Sequence, residues 1–299
     1  MKKLYSNKLV ILSLVLPGLL LFVFAILAPI CLSVYYGFTD YSGMGSYNYI
    51  GLENYQVFWT SLKNSLLLAI GFICIQHPLA LIVAAVLDKL GGRGEGFFRC
   101  VYFVPNVISV AVIAYLWKFI YNPDFGLLNN IIKLFGGDGG INWLSQGRAI
   151  WSVLIVLIWH GFGWGMLIYY TGIKNIDPTL YEAAAIDGAN QKTTFLRITL
   201  PLMKPVIQVN VTMAVISALK QMETVYLLTN GGPGNSTQFA ANYLYQQAFK
   251  AFKYGYGNAI GVIFIIICLV VTVLLNTVFA DRDEDAGRKN GLSRRRAKS

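Results

Sequence analysis

The stretch Ile260-Gly261-Val262-Ile263-Phe264-Ile265-Ile266-Ile267-Cys268-Leu269-Val270-Val271-Thr272-Val273-Leu274-Leu275 carries no charge and no alternation of polarity. Apolar side chains fall on every face of a helix drawn through it. A strand of a membrane barrel would instead alternate apolar and polar positions over about ten residues. A helix pairs all its own backbone amides, as the bilayer interior demands. The stretch therefore reads as a membrane-spanning helix. Its uncharged window, Asn258–Ala280, holds 23 residues, against the roughly 20 needed to cross the hydrocarbon layer.

Five further windows lack Asp, Glu, Lys and Arg: Leu9–Thr39, Asn64–Leu87, Cys100–Trp117, Ala149–Ile173 and Pro205–Leu219. The 299-residue chain is 56% hydrophobic and only 13% charged, where soluble proteins carry roughly 25% charge. The predicted fold class is an all-α polytopic, multi-pass protein of the cell membrane. Six transmembrane helices occupy residues 9–280, between a short N-terminal segment (1–8) and a basic tail (281–299). The fifth window is short and carries Gln208 and Asn210. It meets Lys220 and Glu223 before Val225–Leu228 resumes the apolar character, and it reads as one span, Val206–Leu228, with a polar outer end. Lys2, Lys3 and Lys8 give the first window a basic start, and Ala25 and Ala28 resemble a signal-cleavage site. Its 31 uncharged residues far exceed an apolar signal core of about 7–15, so a retained span is expected.

Of 24 basic residues, 17 lie in the N-terminus, the 88–99 and 174–204 loops and the tail. The other three connections hold seven. The excess of Lys and Arg marks the cytoplasmic side, which places both termini there. The net charge of +10 is then a topology signal, and no nucleic-acid partner is implied. Arg294, Arg295 and Arg296 are expected in solvent or against anionic headgroups. Cys31, Cys74, Cys100 and Cys268 form no CxxC pair and read as packing or lipid-facing residues.

No acidic residue lies inside the six windows, and His77 and His160 are their only ionisable side chains besides cysteine and tyrosine. An ion-coupled carrier or channel acting alone would be expected to hold an intramembrane carboxylate or an internal repeat. Neither is found. No Gly-Lys dipeptide occurs, so no Walker A loop is possible, and no HExxH, GxSxG or metal-ligand spacing appears. The chain is not expected to be an enzyme, and any uphill transport must draw energy from another subunit.

Between the fourth and fifth windows runs Asn175-Ile176-Asp177-Pro178-Thr179-Leu180-Tyr181-Glu182-Ala183-Ala184-Ala185-Ile186-Asp187-Gly188-Ala189. Asp before Pro is a helix start, the alanines continue the helix, and Gly188 is a stop. A second helical run, Thr193–Leu200, meets Pro201. Composition alone reads this as a hairpin joining two spans. The pattern Glu182-Ala183-Ala184, Gly188, Ile198, Leu200-Pro201, however, resembles the EAA loop of permease subunits in binding-protein-dependent ABC importers. Other segments resemble its carbohydrate-uptake branch, the maltose, lactose, raffinose and glycerol-3-phosphate permeases. They are Leu16–Leu20, Gly51–Tyr55, Pro123–Asn129, Thr229–Gly234 and Gly255–Gly261. Met222-Glu223 departs from the family's Phe-Asp.

The resemblance implies the type I importer fold and alternating access driven by two ATP-binding cassette subunits, with ATP and magnesium held by those partners. It implies no cofactor on this chain. The other implied partners are a second permease in a heterodimer, an extracytoplasmic solute-binding protein and a carbohydrate substrate. Glu182, Ala183, Ala184, Asp187, Gly188, Ile198, Leu200 and Pro201, within a coupling loop at about 175–201, would then engage the ATPase. For a sugar route, aromatic platforms with a few hydrogen-bonding groups are wanted. Trp159, His160 and Trp164 on span four, and Gln208, Asn210, Gln221 and Glu223 on span five, are the candidates. Gly161 and Gly165 also read as a helix-packing pair. His77-Pro78, Pro17, Pro29 and Pro105 read as kinks. The Gly231–Ser236 turn and the aromatic stretch Phe239–Tyr256 are expected outside, as a docking surface for the binding protein or as an interfacial belt.

Overall fold

The computed structural model describes residues 8–55 and 59–279. The N-terminal lysines Lys2 and Lys3 and the arginine-rich tail lie outside the described residues. The described chain is helical, with an isolated antiparallel bridge between Thr39 and Tyr49. Lys8–Phe22, Val23–Leu27 and Ala28–Gly37 run on as one helix, α1. Trp59–Gly71, Phe72–Gln76 and His77–Leu90 form α2. Then follow α3 (Gly92–Val107), α4 (Val110–Ile120), α5 (Leu127–Leu134), α6 (Ala149–Lys174) and α7 (Pro178–Ile186). Next come α8 (191–202), α9 (Lys204–Leu219), α10 (Glu223–Leu228), α11 (Ala240–Tyr245) and α12 (Tyr254–Phe279).

Four of these, α1, α2, α6 and α12, are individually long and apolar enough to cross a membrane. Two bent pairs bring the number to six if each pair is one span: α3 with α4 at 97°, and α8 with α9 at 67°. The third window is thus not one straight helix. Pro105 removes a backbone donor near the end of α3. Ile108 and Ser109 then turn extended before the Ser109 carbonyl accepts from the Ile113 N–H to begin α4. The expected single span Val206–Leu228 is also corrected. Helix α9 stops at Leu219, with Lys220 and Glu223 exposed around the break, and α10 starts afresh.

The expected proline kinks take another form. At Pro29, Pro78 and Pro201 the residue before the proline closes a wide, five-residue turn. The Ala28, His77 and Leu200 N–H groups donate to the Val23, Phe72 and Phe195 carbonyls, respectively. Widening the turn displaces the carbonyl that the proline ring would strike. Helices α1 and α2 therefore pass Pro29 and Pro78 without breaking. Pro17 lies inside the α-helical part of α1.

The chain divides into two compact units. In the unit of residues 1–58 and 243–267, the Asn54 amide donates to the Gly37 and Thr39 carbonyls at 3.0 and 2.6 Å. A β-carbon on Gly37 would stand 3.3 Å from Ala259 Cα, so glycine permits this approach of α1 to α12. Tyr35, Tyr36, Tyr41 and Tyr47 stack nearby.

The unit of residues 59–242 and 268–299 holds two apolar clusters. One gathers Leu68, Ile113, Val153, Val156, Val215, Val225 and Phe239. Phe239, the first residue of the aromatic stretch, is fully buried in this cluster. The other packs Ala80, Ala84 and Leu87 of α2 against Met166, Tyr169 and Ile173 of α6. On α5, buried Asn129 donates to the Asn122, Pro123 and Ile141 carbonyls of the flanking loops. It also accepts from the Ile141 N–H and the Trp143 indole. The Pro123–Asn129 motif is thus a hydrogen-bond hub that closes a loop.

Candidate functional site

The hairpin α7–α8 is built by caps. The Asp177 carboxylate accepts from the Thr179 N–H at 3.0 Å, which holds that carboxyl below its usual range. Asp187 and Ala189 N–H groups return to the Ala183 and Ala184 carbonyls. Gly188 takes φ +75°, with open space where a side chain would stand. Asn190 then caps α8 by accepting from the Thr193 N–H at 2.9 Å. The Tyr181 and Thr199 hydroxyls, 3.1 Å apart, tie the two arms. Lys89 at the end of α2 donates to Gln191 at 3.0 Å.

Of the residues predicted for coupling, Glu182, Ala183, Asp187 and Gly188 form the exposed tip, and Pro201 is also exposed. Ala184 is buried, and Ile198 and Leu200 are half-buried. Ala184 therefore serves the packing of the hairpin rather than its outer surface, because the helical period turns it inward. Ile186, which carries no motif signal, is 87% exposed at the tip.

The base of the hairpin is tethered. Lys174, the last residue of α6, lies 2.8 Å from Asp88 of α2. Tyr170 donates to Glu95 of α3, and the Arg99 guanidinium sits 4.8 Å from the Tyr170 ring centre. These contacts join α6, from which the hairpin departs, to α2 and α3.

Those helices, with α9, surround a cavity of about 330 Å³, within the size range of small-molecule sites. Of the seven pathway candidates, His160, Trp164, Asn210 and Gln221 line it. The other three pathway candidates are placed elsewhere. Trp159 stacks edge-on against Trp117 at 5.5 Å. Gln208 donates to Asn276 at 3.2 Å. Glu223 is exposed at the start of α10. Each sits on a helix face turned from the cavity, or beyond the break that ends α9.

Gln76, His77, Asn106 and Ser217 also line the cavity, and no motif marks them. His77 bonds through Nδ1 to the Tyr169 hydroxyl at 2.7 Å. Asn106 donates to the His160 carbonyl at 2.7 Å, and Asn210 to the Gly165 carbonyl at 3.2 Å. The glycines of α6 divide by role. Gly161 faces the Gln76 carboxamide, Gly165 faces His77 and Ala80, and Gly163 abuts the Tyr102–Phe103 backbone of α3. The close backbone approach is at Gly163. An apolar-walled chamber with amide, imidazole and hydroxyl groups suits an uncharged, hydroxyl-bearing solute.

Residues 76–282 match the family described as binding-protein-dependent transport system inner membrane component. The chain is 36% identical over 290 residues to the probable ABC transporter permease protein YurN of Bacillus subtilis, covering 94% of this chain and 99% of that protein. It is 32% identical to the diacetylchitobiose uptake system permease protein NgcF of Streptomyces coelicolor, covering 93% and 83% respectively. Its fold is shared with a chain of the bacterial alginate ABC transporter solved with an alginate pentasaccharide-bound periplasmic protein. That match has a TM-score of 0.77 at 24% identity, over 92% of this chain and 95% of the other.

Proposed function

The chain belongs to the family of inner membrane components of binding-protein-dependent transport systems, and on that premise we propose that it forms half of the translocation route of an ATP-driven carbohydrate importer. It is a multi-pass membrane protein. In the proposed arrangement six spans cross the membrane, with both termini and the α7–α8 hairpin in the cytoplasm. The partners are a second permease of different sequence, two ATP-binding cassette subunits and an extracytoplasmic solute-binding protein. ATP and magnesium stay on the cassette subunits. This chain performs no bond chemistry and acts as a lever.

The observation that carries the proposal is mechanical. A doubly capped hairpin with an exposed tip is tied at its base to α2, α3 and α6, whose residues also line the cavity. Closure of the cassette pair around the tip shifts these helices and changes access to the chamber. The carbohydrate assignment draws on NgcF, whose name gives diacetylchitobiose uptake, and on the alginate-transporting structural relative. Purification of the tagged chain from its native membrane is expected to bring down a second permease and a cassette ATPase. Liposomes holding that complex should accumulate sugar only with ATP inside and binding protein outside. Uphill accumulation by this chain alone would overturn the proposal.

A further inference from the structure

Gln76 and His77 are consecutive, yet both are only 4% exposed and both line the chamber. Consecutive helical residues ordinarily diverge by about 100°. Here the wide turn Phe72–Gln76 ends on Gln76, and both side chains face α6. A β-carbon at Gly161 would stand 3.1 Å from Gln76 Oε1, and one at Gly165 would stand 3.6 Å from His77 Cε1. Two polar atoms of this pair have no hydrogen-bond partner, Gln76 Oε1 and His77 Nε2. Buried polar atoms are nearly always paired, so an unpaired couple beside a chamber marks the seat of a ligand group.

We propose that Gln76 and His77 read a hydroxyl pair of the transported solute, and that this half of the route selects neutral saccharides over acidic ones. The proposal rests on the importer reading above. With the Tyr169 O–H donating to Nδ1, the His77 ring presents an Nε2–H donor, while Gln76 Oε1 is an acceptor. A hydroxyl both donates and accepts, and vicinal hydroxyls match the pair. A carboxylate only accepts, so it leaves Gln76 Oε1 facing another acceptor. No Lys, Arg, Asp or Glu stands among the lining residues, so nothing there neutralises a uronate charge.

The test uses the complete transporter in liposomes with its binding protein. The probes are radiolabelled neutral oligosaccharides of the malto-, cello- and raffinose series, alongside alginate and polygalacturonate fragments. A neutral probe is expected to be carried. Gln76→Leu should then lower uptake at least tenfold at saturating binding protein, with ATP hydrolysis changed less than twofold. Gly161→Ala, which displaces the Gln76 amide without altering its chemistry, should lower uptake several-fold and guards against a Gln76→Leu chain that fails to assemble. Carriage of an oligouronate overturns the selectivity and leaves the importer standing. Carriage of a neutral probe unaffected by either variant also overturns the proposal, because the chamber atoms then bond only water. If no probe is carried, the carbohydrate reading falls with it.

Discussion

Lys174 Nζ lies 2.8 Å from Asp88 Oδ1, joining the last residue of α6 to the end of α2 where the α7–α8 hairpin departs. Both side chains are partly exposed, at 46% and 29%, so water screens the pair and its contribution to stability is about 1 kcal/mol or less. Its value is positional. Lys174→Ala is expected to leave the unfolding temperature in detergent nearly unchanged. The ratio of solute moved to ATP hydrolysed should fall, because α2 no longer follows the hairpin. An unaltered ratio in the reconstituted complex would show that the tie transmits nothing.

Gly188 turns the hairpin with φ +75° and has open space around it. Steric clash therefore does not decide what can stand there; backbone strain does. An L-residue in this conformation costs roughly 1–2 kcal/mol, and a β-branched one more, while asparagine is tolerated better. The expected order of cassette-subunit affinity is Gly, then Asn, then Ala, then Val. Surface-plasmon measurements on the purified chain would check it, and equal affinity for the Val variant would contradict it.

The apolar windows made the long helices legible, and the spacing from Glu182 to Pro201 made the hairpin legible, because both follow from chain-local physics. The breaks at Ile108–Ser109 and after Leu219 were not. Pro105 announces a disturbance without stating that the chain will turn by 97°, and Lys220 can end a helix or extend along it. The same limit applies to the chamber. His160 and Trp164 share a helical face in any reading, whereas Gln76 and His77 converge only because a wide turn precedes Pro78. Ala183 and Ala184 look alike in sequence; the packing of the hairpin makes one exposed and the other buried.

Asn129 is fully buried and engages three carbonyls, one amide and one indole. Replacement by Leu removes every one of these bonds and strands the partners, at a cost on the order of 3 kcal/mol. Asn129→Leu is expected to increase proteolysis in the loop between α5 and α6 at native temperature. Uptake per correctly assembled complex should be little changed, since neither Asn129 nor any of its bonding partners lines the chamber.

The Asp177 carboxyl is held below its ordinary range by the bond from the Thr179 amide. A depressed folded value means that the cap's contribution is present above the unfolded pKa, about 4. It is lost as pH falls through the lower folded value. Amide exchange at Thr179 and Leu180 should therefore show constant protection relative to an Asp177→Asn chain from neutral pH down to about 4, then a drop below it. Asp177→Ala should lack the protection throughout. A loss centred near pH 6 would mean that a different group controls the start of α7.

Gly163 and Gly165 are two residues apart on α6 and should respond differently to one added methyl group. At Gly163 the new carbon would run into the Tyr102 carbonyl and lie 2.9 Å from Phe103 Cα. These are backbone atoms of α3 that can yield only if a whole helix shifts. At Gly165 the nearest atom, His77 Cε1, is 3.6 Å away, an ordinary packing distance. Overpacking of this kind costs typically about 1–3 kcal/mol. Gly163→Ala should thus lower the melting temperature and the yield of assembled complex, while Gly165→Ala assembles normally. Size-exclusion profiles of the two variants settle the matter. Equal yields would mean that α3 slides freely on α6, and then the tether from Glu95 to Tyr170 could not pass hairpin motion to the chamber.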